Sequence, residues 1–190
     1  MKIEMQNKQI ALVNPSYSSY LYGSERDIKS VHPPLNLLYL HSYIKDIADV
    51  KLFDGELYPT LENLINDLED FKPDIIAYTA TSPSYPIVKK LAQKLKNKDR
   101  IQIIGGVYAT VNPDEVLDFF NVAVIGEGED ALYDIIKGKK FEDIKGIAFR
   151  GKNNTFFTEN RPFKTDLDKL PFPSWDLVDF SKYQYSIHRG

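Results

Sequence analysis

The feature that most limits the fold of this chain is a short apolar run that stops at two adjacent glycines. Residues 101–104 read Ile-Gln-Ile-Ile, and Gly105 and Gly106 follow directly. A run of this kind is typical of a buried strand in a parallel sheet. The glycines allow backbone angles that other residues resist, and they remove side chains that would keep a ligand off the backbone. The run predicts either a ligand site or a simple tight turn at the end of a strand.

Further strand candidates alternate with helical segments through about residue 140. The segments between them carry apolar residues at helical spacing, and Thr60 reads as the N-cap of one such helix. We therefore predict an α/β fold, a Rossmann-like (flavodoxin-like) doubly wound sheet of five parallel strands in the order 2-1-3-4-5. Besides residues 101–104, the strand candidates are residues 9–13, 50–53, 74–78 and 122–125.

The pattern changes after residue 140. Residues 144–150 and 155–158 predict a β-hairpin, and the prolines and aromatic residues that follow predict an extended linker. We therefore divide the chain into a ligand-binding domain, residues 1–140, and a hairpin and linker, residues 141–190. The linker is too apolar to be free in water, so we expect it to pack on a neighbouring domain. In isolation we expect it to be poorly held or to cause self-association.

Composition excludes several classes of function. The net charge is −3 and there is no basic run, so a nucleic-acid partner is not expected. No apolar run approaches the ~18 residues of a membrane span, and the start has no signal-peptide core, so we expect a cytoplasmic protein. The absence of cysteine excludes thiolate metal sites and iron–sulfur ligation by these residues. The histidines are not at metal-ligand spacing, and His41 reads as a helix-surface residue.

The carboxyl ends of the parallel strands share one edge of the sheet, where ligands bind in folds of this kind. Hydroxyl groups and backbone-exposing glycines collect there, although the Ser and Thr residues are also explained as helix caps. A G-x-G-x-x-G motif after the first strand and a Walker motif are both missing, and Asp54 reads as a turn residue, which disfavours dinucleotides and nucleoside triphosphates. No catalytic or metal-ligating residue is predicted. The candidate cofactor-binding residues are Asn14, Pro15, Ser16, Thr79, Ala80, Thr81, Ser82, Gly105, Gly106, Val107, Tyr108, Gly126, Glu127 and Gly128.

Short motifs spread over nearly the whole chain resemble, in their order and spacing, the amino-terminal half of the cobalamin-dependent radical S-adenosylmethionine (SAM) enzymes. That group includes methyltransferases and anaerobic magnesium-protoporphyrin monomethyl ester cyclases. The motifs are Asn14-Pro15, Pro33-Pro34-Leu35 with Leu38-Tyr39-Leu40, Lys72-Pro73-Asp74, Gly105-Gly106, Asn112-Pro113-Asp114-Glu115, Gly126-Glu127-Gly128-Glu129, Gly146-Ile147 and Leu170-Pro171-Phe172-Pro173.

The resemblance implies a cobalamin-binding domain followed by a radical SAM barrel as its partner. It places the nucleotide tail of cobalamin near residues 79–82 and over Gly105 and Gly106. The barrel would carry S-adenosylmethionine and a [4Fe-4S] cluster, and it typically starts with Arg-Gly-Cys-Pro. Since the chain stops at Arg189-Gly190, we expect it to end just before the cluster cysteines. The segment alone would then be catalytically inert, and the parent would perform methyl transfer or cobalamin-assisted radical chemistry.

Two departures qualify the resemblance. Residues 14–18 lack the D-x-H-x-x-G motif of other cobalamin proteins, so we expect no histidine ligand below cobalt. In addition, Tyr108 stands where family members often carry histidine.

The alternative from another class is a flavodoxin-like regulatory or interaction module without a cofactor, in which the glycines only turn the chain. For a ligand site, Gly106→Val should abolish binding and largely preserve the fold, unless the φ of Gly106 is positive.

Overall fold

The computed structural model describes residues 8–16, 31–151 and 154–183. Residues 17–30, the centre of the predicted hairpin turn at residues 152–153, and the Arg189-Gly190 motif lie outside these ranges.

Seven strands and six α-helices occur in the described residues. The strands are β1 (Gln9–Asn14), β2 (Asp49–Asp54), β3 (Ile75–Thr79), β4 (Ile101–Gly105), β5 (Val122–Val124), β6 (Ile147–Arg150) and β7 (Thr155–Phe157). The helices are α1 (Leu35–Ile44), α2 (Leu61–Phe71), α3 (Tyr85–Lys94), α4 (Val107–Val111), α5 (Pro113–Val116) and α6 (Glu129–Ile136). Helix α2 starts as predicted, because the Thr60 hydroxyl accepts a hydrogen bond from the Asn63 N–H at 3.2 Å.

All strands belong to one sheet with the order β2-β1-β3-β4-β5-β6-β7. The first five strands are parallel, which confirms the predicted order 2-1-3-4-5. The sheet has seven strands rather than five, because the predicted hairpin joins it as β6 and β7, with β6 antiparallel to β5. Pairing with β6 satisfies the backbone edge that β5 would otherwise expose. The predicted division at residue 140 stays a prediction, although the sheet itself runs across it.

Both faces of the sheet are covered, as a doubly wound fold requires. Ile10 and Leu12 of β1 pack in one core with α1 and α6, and Ala11 and Val13 pack in a second core with α2 to α5. All four side chains are fully buried. A strand buried on both faces has no polar alternation, which is why the central strands read as continuous apolar runs. Among the described helices, none is long and apolar enough to cross a membrane.

The linker after β7 touches the sheet domain at separate points and leaves large apolar side chains exposed between them. Ser174 is buried, and its N–H donates to the Leu38 carbonyl of α1 at 3.2 Å. Tyr183 is also buried, and its hydroxyl donates to Asp54 Oδ2 at 2.8 Å. The exposed apolar side chains of this linker are Phe163, Leu167, Phe172, Trp175, Leu177 and Phe180. Their predicted mobility or self-association stays a prediction.

The assignment of His41 to the helix surface is wrong. Its side chain is only 7% exposed, and Nδ1 lies 2.7 Å from the Ser174 hydroxyl oxygen. Helical spacing places His41 on the outer side of α1, but the linker covers that side. The contact joins residues 133 positions apart, so no local pattern indicates it.

We expect the buried His41 to make the protein less stable in mild acid. Burial lowers the pKa of His41 below the usual 6.5, and the hydrogen bond to Val50 and the charge of Asp176 only partly offset this effect. As the pH falls through that value, the unfolded chain takes up a proton that folded His41 resists. The free energy of unfolding should therefore decrease between about pH 7.5 and pH 5.5.

Urea unfolding of His41→Gln across this range tests the expectation, because glutamine stays neutral. The variant should lose most of the pH dependence of unfolding. His32→Gln is the matched control, since His32 is exposed, and it should retain the wild-type pH dependence. An unchanged pH dependence of unfolding in His41→Gln would contradict the assignment of this pH dependence to the buried His41.

Candidate functional site

A cavity of about 210 Å³ lies at the carboxyl ends of β3, β4 and β5, between the sheet and helices α1 and α6. Its base is apolar, and its rim consists of glycines, hydroxyl and amide groups and two carboxylates. A dry apolar cavity of about 150 Å³ binds benzene, so this one has room for a ring system larger than benzene. The lining residues are Asn36, Leu37, Leu40, Ala77, Tyr78, Thr79, Ile103, Gly105, Gly106, Val124, Gly126, Glu127, Gly128, Glu129 and Leu132.

Gly106 is required by a close approach of two backbone segments. Its φ is +90°, and a Cβ atom placed there would lie 2.8 Å from the Ala80 carbonyl oxygen and 3.0 Å from its nitrogen. The same segments are joined by hydrogen bonds from Ala80 N–H to the Gly105 carbonyl and from Tyr108 N–H to the Ala80 carbonyl. A side chain at Gly106 therefore clashes with the protein itself. Because the φ of Gly106 is positive, Gly106→Val should destabilise the fold and would not leave it largely intact.

Thr110 connects the two glycine loops of the cavity wall. Its hydroxyl donates to the Gly106 carbonyl and accepts from the Gly126 N–H, both at 3.1 Å. The second wall contact is between side chains, where Asn36 Nδ2 donates to Thr79 Oγ1 at 3.0 Å. The sequence prediction missed Thr110 and Asn36. A threonine four residues after a glycine in a short helix is a weak signal, because its hydroxyl can bond the backbone one turn back.

Six of the predicted cofactor-binding residues line the cavity, and Thr81, Ser82 and Val107 are exposed near the same edge. The exposed fraction of Val107 is 70%, which is unusual for an apolar side chain beside a cavity. The six lining residues are Thr79, Gly105, Gly106, Gly126, Glu127 and Gly128.

The other five predicted residues do not line this cavity. Asn14 Nδ2 donates to Asp54 Oδ1 at 2.8 Å, and Pro15 and Ala80 are buried. Ser16 lines a separate cavity on the other face of the sheet, beside α2 and α3. Tyr108 stacks on Tyr85 with ring centroids 4.2 Å apart, and its hydroxyl donates to Glu115.

Asp54 acts as a turn residue, as predicted, and has further contacts. Its Oδ1 accepts from the Glu56 N–H at 3.2 Å and from Asn14, and its Oδ2 accepts from Tyr183. Burial raises the pKa of Asp54, while these three donors favour the charged form and partly offset the effect. The carboxyl group therefore joins the ends of β1 and β2 to the linker.

The site has no metal-binding cluster in residues 8–16, 31–151 and 154–183, where no group of three or more His, Asp or Glu side chains could hold an ion. None of the cavity-lining residues is a histidine.

A sequence model of the B12 binding domain matches residues 26–136 of this chain. The chain is 29% identical over 191 residues to an uncharacterized methyltransferase of Pyrococcus horikoshii, covering 95% of this chain and 41% of that protein. It is 28% identical over 193 residues to the anaerobic magnesium-protoporphyrin IX monomethyl ester cyclase of Cereibacter sphaeroides, covering 93% of this chain and 31% of that protein. The chain thus spans less than half the length of these curated relatives.

The fold is similar to part of the solved structure of OxsB, a cobalamin-dependent S-adenosylmethionine radical enzyme with aqua-cobalamin bound. The TM-score is 0.72 at 22% sequence identity, over 91% of this chain and 25% of that chain. At this level of identity the likeness concerns the fold alone, and it confirms the Rossmann-like prediction.

The two adjacent glycines should respond differently to the same substitution. Gly106→Ala should lower the free energy of unfolding by about 2 kcal/mol or more, because alanine resists the positive φ and meets the Ala80 backbone. Gly105→Ala is the matched control, since its Cβ would lie 3.8 Å from Val124 Cβ in ordinary contact. It should change stability by less than about 1 kcal/mol. Urea denaturation followed by circular dichroism measures both, and equal effects would contradict the close approach.

Proposed function

The chain belongs to the B12-binding domain family, and on that premise we propose that it binds cobalamin with the nucleotide end of the cofactor in the cavity at the strand ends. The cavity carries this proposal, because it combines an apolar base with a rim of exposed backbone. The family match favours this function over a regulatory module without a cofactor.

The residues present fit the nucleotide end of cobalamin. Leu37, Leu132 and Val124 offer apolar surface to an aromatic base, and the volume exceeds that of a cavity that holds benzene. Asn36 and Thr79 offer an amide and a hydroxyl group for the ribose and phosphate. The carboxylates of the rim can accept from hydroxyl or amide N–H groups, but they repel a phosphate. We therefore propose that the phosphate lies on the Thr79 side of the rim.

The exposed residues at the same edge fit the larger corrin ring. Val107 presents an apolar side chain to solvent, and Thr81 and Ser82 present hydroxyl groups. We propose that these three residues contact the ring and its amide side chains. When bound, cobalamin supplies a cobalt centre that can carry a methyl group. The residues of this chain bind and orient it, and none of them is proposed to take part in a chemical step.

At the level of the parent protein, we propose that this domain works beside a radical SAM barrel in the same chain. The support is the resemblance of the motifs and the length of the relatives, which extend far beyond the matched region. The barrel would hold S-adenosylmethionine and a [4Fe-4S] cluster, and the parent reaction would be methyl transfer or cobalamin-assisted radical chemistry. The cytoplasmic location and the domain boundary at residue 140 stay predictions.

Filling the cavity should weaken cobalamin binding without unfolding the protein. Leu40 lines the cavity and is only half-buried, so Leu40→Trp places a larger side chain in it. We expect the dissociation constant for hydroxocobalamin to rise about tenfold or more. Tyr39→Trp is the matched control on the same helix, because Tyr39 does not line the cavity, and it should bind like wild type. Visible absorption titration measures both, with circular dichroism as the check of folding. A folded Leu40→Trp variant with wild-type affinity would refute this location.

The bound cobalt should have no histidine ligand from the protein. The reason is the missing D-x-H-x-x-G motif after β1, and none of the residues proposed to contact the corrin ring, Thr81, Ser82 and Val107, is a histidine. Electron paramagnetic resonance of the protein with cob(II)alamin should show no nitrogen splitting from a protein imidazole. His32→Gln should give the same spectrum. A splitting that His32→Gln removes would identify a histidine ligand, and failure to bind at millimolar cobalamin would contradict the proposed function itself.

A further inference from the structure

The start of the linker is fixed against the segment that directly precedes β6. The Gly146 N–H donates to the Glu159 carbonyl at 2.8 Å, and Arg161 Nε donates to the Lys145 carbonyl at 3.3 Å. At Gly146, a Cβ atom would lie 3.2 Å from Arg161 Cβ, so the two segments are in close contact. This packing brings two cationic side chains of the linker, Arg161 and Lys164, to helix α6.

Arg161 and Lys164 form ion pairs with two acidic residues of α6. Lys164 Nζ lies 2.7 Å from Asp130 Oδ2, and Arg161 Nη2 lies 3.0 Å from Asp134 Oδ2. The four side chains are 19–29% exposed, so solvent screens these pairs less than fully exposed ones. Asp130 also accepts a hydrogen bond from the Tyr43 hydroxyl, and this bond adds helix α1 to the cluster.

The same cluster supports the wall of the cavity. The backbone N–H of Lys164 donates to Glu127 Oε2 at 3.1 Å, and Glu127 lines the cavity. Asp130 belongs to the first turn of α6, the helix that supplies Leu132 to the cavity lining. Tyr43 belongs to α1, which also contributes lining residues. The two cationic residues of the linker are therefore joined to both helices that flank the cavity and to the loop between β5 and α6.

The charges in the cluster support one another. Burial acts to raise the pKa of Asp130, but hydrogen bonds from Lys164 and Tyr43 and the charges of Lys164 and Arg161 outweigh it, so the pKa lies below the usual value. Burial acts to lower the pKa of Lys164, and its contacts with Asp130 outweigh that effect in turn. Both groups therefore carry their charges at neutral pH.

We propose that Arg161 and Lys164 are positioning residues that hold the loop of residues 126–130 in its cobalamin-binding shape. The proposal rests on the proposed function. Its consequence is that cobalamin in the cavity also orders the start of the linker, because a coupling between two sites acts equally in both directions. The exposed apolar side chains of residues 163–180 come directly after this part of the linker in the chain. Cobalamin in the cavity therefore also changes how well ordered the segment that carries these side chains is.

The test compares two lysines of the same linker. Lys164→Met removes the pair with Asp130, and we expect cobalamin to bind about fivefold or more weakly. Lys169→Met is the matched control, because Lys169 pairs with Asp166 at 3.1 Å but is 82% exposed and does not line the cavity. It should bind like wild type. Lys164→Arg keeps the charge and should restore most of the affinity.

Hydrogen exchange with and without cobalamin gives a readout that a merely structural role would not change. Cobalamin should slow exchange at residues 159–166 in wild type and in Lys169→Met, and this protection should be lost in Lys164→Met. Asp134→Asn weakens the Arg161 pair and leaves the Lys164 pair in place. Asp134→Asn should also weaken cobalamin binding and reduce the protection of residues 159–166. If Lys164→Met does not fold, the result for Asp134→Asn decides whether the positioning role holds.

The outcomes separate the two proposals. If wild type does not bind cobalamin, the proposed function fails and the coupling fails with it. If wild type binds and the folded Lys164→Met variant keeps both its affinity and its ligand-induced protection, only the positioning role is overturned. Weaker binding with unchanged protection of residues 159–166 would also overturn the coupling.

Discussion

The approach of the Gly106 backbone to the Ala80 backbone sets the geometry of the whole functional edge. Because a Cβ atom does not fit there, only glycine lets the chain leave β4 at this angle and still form the hydrogen bonds between the loops after β3 and β4. One turn later, Thr110 binds both Gly106 and Gly126, so the loop after β5 takes its position from the same place. The walls of the cavity therefore depend on a contact within the backbone.

The sequence predicted the parallel part of the fold well, because burial on both faces leaves a strong apolar signature in each strand. Residues 9–13 and 101–104 show it clearly, and the structure has strands there. The pairing of β6 with β5 was missed because the sequence pattern of a strand does not indicate which other strand it pairs with. The burial of His41 was missed for a related reason. It depends on Ser174, which is far away in the chain and lies in a segment without a regular pattern.

The candidate site was predicted in outline, since the topology alone brings the strand ends together. Strand periodicity explains the errors in detail. Thr79 faces the cavity, whereas the side chain of the next residue, Ala80, packs in the core on the other face. Leu40 and Leu132 were missed because a leucine that lines a cavity has the same helical spacing as one that packs in a core. The ion pairs between the linker and α6 were missed because contacts across the fold have no local signal.

The central place of β1 in the sheet has a consequence for how the chain folds. Val13 is opposite Phe53 on one side and Tyr78 on the other, so β1, which precedes both partners in the chain, must wait for two distant strands. Pairing between strands so far apart is slow, and during that time both backbone edges of β1 are open to wrong partners. The strand ends that surround the cavity belong to β3, β4 and β5, which leave the ribosome later still. A cofactor can therefore stabilise the finished domain by mass action, but it cannot guide the first steps of its assembly.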